Sequence, residues 1–187
     1  MMTAGRHEAG TPTPREAPVD LYIIRHAQSS NNALADQRER VCDPKLTELG
    51  KAQAARLAHH LATEPHPEQR HGIDLEDTGV ETVQGYGIER LYCSAMHRSL
   101  ETATAVGEAI GVRPEVWIDI HESGGIFLDH RDERGVVGYP GMTREQISAE
   151  FPHVVLSDDV KEEGWWDPAR GEEDWPTCQG RAVRVAG

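Results

Sequence analysis

Short apolar runs in this chain give way to stretches whose apolar residues recur at helical spacing, and the switches mark the predicted elements. Val19 to Ile24 is apolar apart from Asp20, too short for a helix and rich in β-branched residues, so it predicts a buried central strand. Ile88 to Ser94, IERLYCS, predicts a second strand. The following AMHRSLETATAVGEAIG has apolar residues at helical spacing and predicts a helix that ends at Gly111. Trp117 to Phe127, WIDIHESGGIF, predicts a short strand running into a Gly-Gly turn. Thr143 to Phe151 predicts a short helix opened by a Thr cap with Gln146 three residues on and stopped by Pro152.

Between these elements lie polar stretches. Met1 to Pro18 combines Pro, Gly, Thr and charge without an apolar core, which predicts a disordered tail that is neither signal peptide nor anchor. Leu61 to Gly87 is rich in Gly, Pro and His and reads as a long connection. His59, His60, His66 and His71, just before and within this stretch, are irregularly spaced, and a solvated loop accounts for them better than a metal site, whose ligands need fixed geometry.

The strand ends carry the candidate chemistry, because open α/β sheets bind ligands at the carboxyl ends of their strands. Arg25 and His26 stand where the first strand leaves the sheet. Arg offers a planar fork that matches phosphate oxygens, and imidazole is nucleophilic and partly neutral near pH 7. Ser94 is placed to cap the helix after the second strand, with Arg98 in its first turn, where backbone N–H groups also favour an anion. Glu122 falls at the end of the third strand, and a carboxyl held near phosphate and away from water is expected to have a raised pKa and to protonate a leaving alkoxide. Each has a plainer reading: a chance Arg-His dipeptide, a surface Arg98 paired with Glu101, and an exposed turn glutamate.

Taken together, these residues resemble the histidine phosphatase superfamily, also called phosphoglycerate-mutase-like. LYIIRHAQSSNN is similar to that family's first strand and Arg-His-Gly motif, with Ala27 in place of Gly; PKLTELGKAQ is similar to its Leu-Thr-x-x-Gly-x-x-Gln helix start. Ser94 to Ala103 resembles its Ser-x-x-x-Arg-x-x-x-Thr-Ala segment, and GMTREQISAEFP, GWW and CQGRAVRVA resemble one phosphatase-type branch. The resemblance implies an α/β fold, a three-layer α/β/α sandwich, over residues 19–187. It also implies a metal-independent phosphomonoester hydrolase that acts through a phosphohistidine on a small phosphorylated substrate, with no cofactor. His26 would be the nucleophile, Arg25, Arg98 and Asn32 would bind the phosphoryl group, and Glu122 would be the acid.

One feature of that family is missing. Its members carry a second His, followed by Gly, at the end of a late strand, whereas this chain stops at Gly187 just after CQGRAVRVAG. The chain is therefore expected to be a fragment lacking its C-terminal strand and helix, with an unpaired first strand. His97 is expected at the pocket mouth, His121 in a structural role and His153 in a loop. Two other functions follow from the same residues: a phosphoglycerate-mutase-type transferase, disfavoured because ESGGIF lacks the Tyr-Gly segment that mutases carry after the acid, or an inactive anion-binding module. Trp165, Trp166 and Trp175 are expected either to wall a lid or to pack a peripheral mini-core.

Composition narrows the partners. A formal charge of −13 argues against nucleic acid, since phosphate backbones select basic faces. Much of the acidity lies in Asp158 to Asp174, expected to be solvated. Three cysteines, Cys42, Cys93 and Cys178, form no CxxC pair, which suits a cytoplasmic setting. A thiol-phosphatase loop between Cys93 and Arg98 is one residue short. No stretch approaches the roughly 20 apolar residues needed to span a bilayer, and oligomeric state is not legible.

Overall fold

The computed structural model describes residues 19–64 and 85–187, so the expected N-terminal tail and most of the long connection, including His66 and His71, lie outside the described residues. Helices and strands are mixed along the chain in an α/β arrangement: α1 (Ser30–Ala33), α2 (Glu48–Thr63), β1 (Leu91–Cys93), α3 (His97–Ile110), β2 (Pro114–Val116), β3 (Phe127–Asp129), β4 (Val136–Gly138), α4 (Arg144–Glu150) and α5 (Trp175–Ala186). β1 and β2 pair in parallel, with Leu91 opposite Pro114 and Cys93 opposite Val116. Val155 adds a parallel bridge to Glu115 on the far side of β2. β3 and β4 form a separate antiparallel hairpin.

Local chemistry sets these elements. Thr47 caps α2 by accepting from the Gly50 N–H. Thr143 and Gln146 complete the capping box expected for α4. α2 and α3 pack side by side, and Ala58, Leu61 and Val106 close a small cluster between them. The main core gathers Leu100 and Ala103 of α3, Cys93, Val116, Ile126, Ile147, Phe151 and the adjacent Trp165 and Trp166, all buried. These two tryptophans belong to the central core rather than to a peripheral one, while Trp175 is 66% exposed.

The expected first strand is not a strand here. Val19, Leu21 and Ile23 are 87%, 81% and 90% exposed, and residues 21–28 join no ladder. A run of β-branched residues becomes a buried strand only when a neighbouring strand takes up its backbone hydrogen bonds, and among the described residues none does. Tyr22 packs edge-on against Tyr86, with ring centroids 5.4 Å apart, and the chain is drawn in further from His26 to Ser30. The Ala27 N–H donates to Thr102 Oγ1 at 3.2 Å and the Gln28 N–H to Gln53 Oε1 at 3.0 Å. Ser29 pairs with Leu46, and the Ser30 and Thr47 N–H groups donate across this junction to Lys45 and Gln28. Gly50 makes that approach possible, because a Cβ there would collide with the Gln28 carbonyl.

Candidate active site

His26, Arg98 and Glu122, far apart in sequence, meet in space. The His26 ring lies with Nδ1 at 2.7 Å from the Ala27 carbonyl, which can only accept, so Nδ1 carries a proton. Arg98 Nε then donates to the free Nε2 at 3.1 Å. Arg98 Nη2 donates to Glu122 Oε2 at 2.9 Å, and the same carboxylate oxygen lies 3.5 Å from His26 Nε2, within reach of a protonated ring. Arg98 is buried although it stands in the first turn of α3. Its plainer partner, Glu101, is instead taken by His97 and by the Leu46 N–H.

The Glu122 carboxyl is shifted in the direction opposite to the one expected of it beside a phosphate. Its carboxyl is held down to about 2, first by His26 and then by Arg98, against a partial burial that works the other way. The reason is geometric: the side chain is 57% exposed and faces two nitrogen-bearing groups, so desolvation loses to ion pairing. Nor does Glu122 end a strand. β2 stops at Val116, and residues Ile118–Ile120 form a 3-10 turn before it.

A second carboxylate, which the sequence did not single out, stands behind Arg98. Asp43 Oδ1 accepts the His97 N–H at 3.0 Å and lies 3.8 Å from Arg98 Nη1. It thereby satisfies a first-turn donor of α3, whose N-cap is Met96 rather than the expected Ser94. Burial pushes the Asp43 carboxyl up, while the His97 N–H and Arg98 hold it back. No local pattern reveals such a cap, because the acceptor comes from 54 residues away.

A cavity of about 350 Å3 opens over these groups, lined by His26, Asn32, Arg98 and Glu122 together with Arg40, Val41, Phe127 and Arg131. That suits a small polar ligand. Asn32 Oδ1 accepts from both the N–H and the hydroxyl of Ser29, which fixes the turn after His26. Arg25 is exposed and lies outside the cavity lining, so this arrangement does not bring it to the other three. His97 is not at the mouth: it is buried, with Nδ1 3.1 Å from Glu101 and Nε2 2.9 Å from Glu150. His153 is exposed, as expected of a loop residue.

His121 is buried against the rings of Trp165 and Trp166, and its Nδ1–H donates to the Glu122 carbonyl at 2.8 Å. Burial lowers its pKa. The Cys93 thiol is pushed up to about 12 by burial, which leaves it protonated and inert as a nucleophile. Among the described residues no group of three or more His, Cys, Asp and Glu side chains converges as a metal site would, and no helix is long and apolar enough to cross a membrane. His60 instead meets the Tyr86 hydroxyl at 3.0 Å.

Comparison with known proteins follows the same residues. No curated protein matches the chain. Among solved structures it is similar to a mycobacterial glucosyl-3-phosphoglycerate phosphatase with inorganic phosphate, at 20% identity and a TM-score of 0.39 over 86% of this chain and 57% of that one. It is also similar to an ecdysone phosphate phosphatase from Bombix mori in complex with tungstate, at 14% identity and a TM-score of 0.49 over 86% of this chain and 64% of that one. The chain thus spans less than two thirds of the length of either. Residues 21–70, which include Arg25, His26 and the LTELG helix start, match the model of the histidine phosphatase superfamily (branch 1).

Proposed function

We propose that the chain hydrolyses a small phosphomonoester through a phosphohistidine at His26. The observation that carries the reading is the convergence of His26 Nε2, the Arg98 guanidinium and the Glu122 carboxylate at the edge of one cavity. The Ala27 carbonyl fixes the tautomer that leaves Nε2 with its lone pair, the atom a nucleophile needs. In the resting site Arg98 occupies that lone pair, so an incoming phosphate would draw the guanidinium onto its own oxygens and free Nε2.

Nε2 then attacks phosphorus as the ester P–O bond breaks. The negative charge that spreads over the equatorial oxygens is met by Arg98, with Asn32 beside it. Arg25, exposed next to His26, would complete the phosphate ligands by turning its side chain inward. Glu122 loses a cationic partner when phosphate claims Arg98, so its proton affinity rises; it takes up the proton carried by the phosphomonoester monoanion and passes it to the leaving oxygen. In the second half, water attacks the phosphohistidine, Glu122 takes the proton of the water, and inorganic phosphate leaves with Nε2 restored.

Release of phosphate from a generic aryl phosphate, compared between the chain and its His26→Ala variant, tests this reading. Release that disappears with His26 supports it, and equal release from both would sink it. Product analysis separates hydrolysis from the mutase alternative, since a mutase returns an isomer and no free phosphate.

A further inference from the structure

Glu122 has no packing to hold it, because its side chain is 57% exposed, yet it stands within hydrogen-bonding range of Arg98. The backbone around it supplies the rigidity. Arg181, in α5, donates through Nη1 to the Asp119 carbonyl at 2.6 Å and to the His121 carbonyl at 3.0 Å. His121 donates to the carbonyl of Glu122 itself. On the other side, the Glu173 N–H donates to the Gly124 carbonyl at 2.9 Å. Gly125 adopts φ +73°, and a Cβ there would collide with the buried Trp166 ring, so the segment is pressed onto the core wall.

Arg181 can hold two carbonyls only because its own position is set. Glu173, whose side chain is fully buried, takes Arg181 Nε and Nη2 in a fork–fork pair at 3.0 and 2.6 Å. Buried ion pairs are weak as sources of stability but are geometrically exacting. We infer that the Glu173–Arg181 pair positions the proton donor: it locks residues 119–124 from α5, so that the Glu122 carboxylate stays against Arg98 and His26. The inference rests on the reading of Glu122 as the acid. Glu173 and Arg181 are positioning residues, since they touch neither His26 nor Arg98.

Two variants test it. Arg181→Lys keeps a charge opposite Glu173 but lacks the fork that serves a carboxylate and two carbonyls at once. Glu173→Met with Arg181→Met replaces the pair by apolar side chains and leaves no charge buried alone. The first readout is the carbon NMR titration of the Glu122 carboxyl. It is expected near 2 in the unaltered chain and to climb towards the ordinary 4.5 in both variants, as Glu122 drifts from its partners. A Glu122 that stays near 2 in either folded variant overturns the inference, and this readout needs no turnover.

The second readout compares an alkyl phosphate, whose leaving alkoxide needs a proton, with a nitrophenyl phosphate, whose leaving group does not. Phosphate release from the alkyl substrate is expected to fall roughly tenfold to a hundredfold and from the aryl substrate by less than about threefold, with Glu122→Gln as the benchmark for losing the acid. Equal losses on the two substrates overturn the positioning role. Absence of His26-dependent release from the unaltered chain is a different result: it defeats the phosphatase reading, while the titration still decides whether the pair places Glu122.

Discussion

The two arms of the proposed site, one carrying the acid and the other the nucleophile of the proposed reaction, are held in contrasting ways. The acid arm, residues 119–125, has carbonyls engaged on both sides of Glu122, lies against buried Trp166 and is followed directly by fully buried Ile126. The nucleophile arm is hydrogen-bonded from His26 onward, whereas Val19, Leu21, Ile23 and Arg25 before it are exposed and join no ladder, with Tyr22 packed edge-on against Tyr86. The contrast teaches that the geometry of a catalytic group depends on what fixes the backbone on either side of it. Glu122 is bracketed, whereas His26 is tethered chiefly from its C-terminal side.

Four measurements break or sharpen this contrast. The largest effect belongs to the chemistry common to both arms. His26→Ala is expected to reduce phosphate release by on the order of 10³ or more, as loss of a nucleophile does. Residual activity near that of the unaltered chain would remove the nucleophile arm from the mechanism altogether. Next comes the cost of truncating each arm. Ile126→Ala, at a fully buried position, should cost about 2–5 kcal/mol in urea unfolding. Leu21→Ala, at an exposed one, should stay within about 0.5 kcal/mol. Similar costs would mean that the nucleophile arm is packed after all.

A smaller effect tests the support behind Arg98, the residue that both arms touch. Asp43→Ala removes the acceptor of the His97 N–H and should lower stability by roughly 1 kcal/mol, as loss of a helix cap does. The smallest concerns pH. The folded-state pKa of Glu122, about 2, lies below the ordinary 4.5, so its contribution is fully present above the ordinary value and is lost as pH falls from 4.5 through 2. Because the side chain is more than half exposed, solvent screening should keep this below about 1 kcal/mol. Unfolding curves of the unaltered chain and Glu122→Gln, followed through that window, should converge as the carboxyl protonates. A constant gap would show that Glu122 is not paired.

Local patterns in the sequence made the α3 helix, the α4 capping box and the β1 strand legible, since periodicity and caps are properties of neighbouring residues. They also singled out His26, Arg98 and Glu122, whose side-chain chemistry is distinctive. Long-range partners were not legible. The acidity of Glu122 depends on which cations it meets, and burial alone suggested the opposite direction. Asp43 caps a helix from 54 residues away, and Glu173 sits in an acidic run that reads as solvated although its own side chain is fully buried. The Val19 to Ile24 run shows the reverse: a strong strand propensity with no ladder to realise it.

The contact between Arg98 and Glu122 gives the cavity a built-in counter-anion. Any incoming anion must outcompete a carboxylate that is already in place and already ionised. A single diffuse charge such as chloride offers Arg98 little that Glu122 does not, whereas a tetrahedral dianion offers several oxygens at once. If the proposed reaction holds, the site would discriminate among anions by charge density before any contact with the rest of a substrate is made.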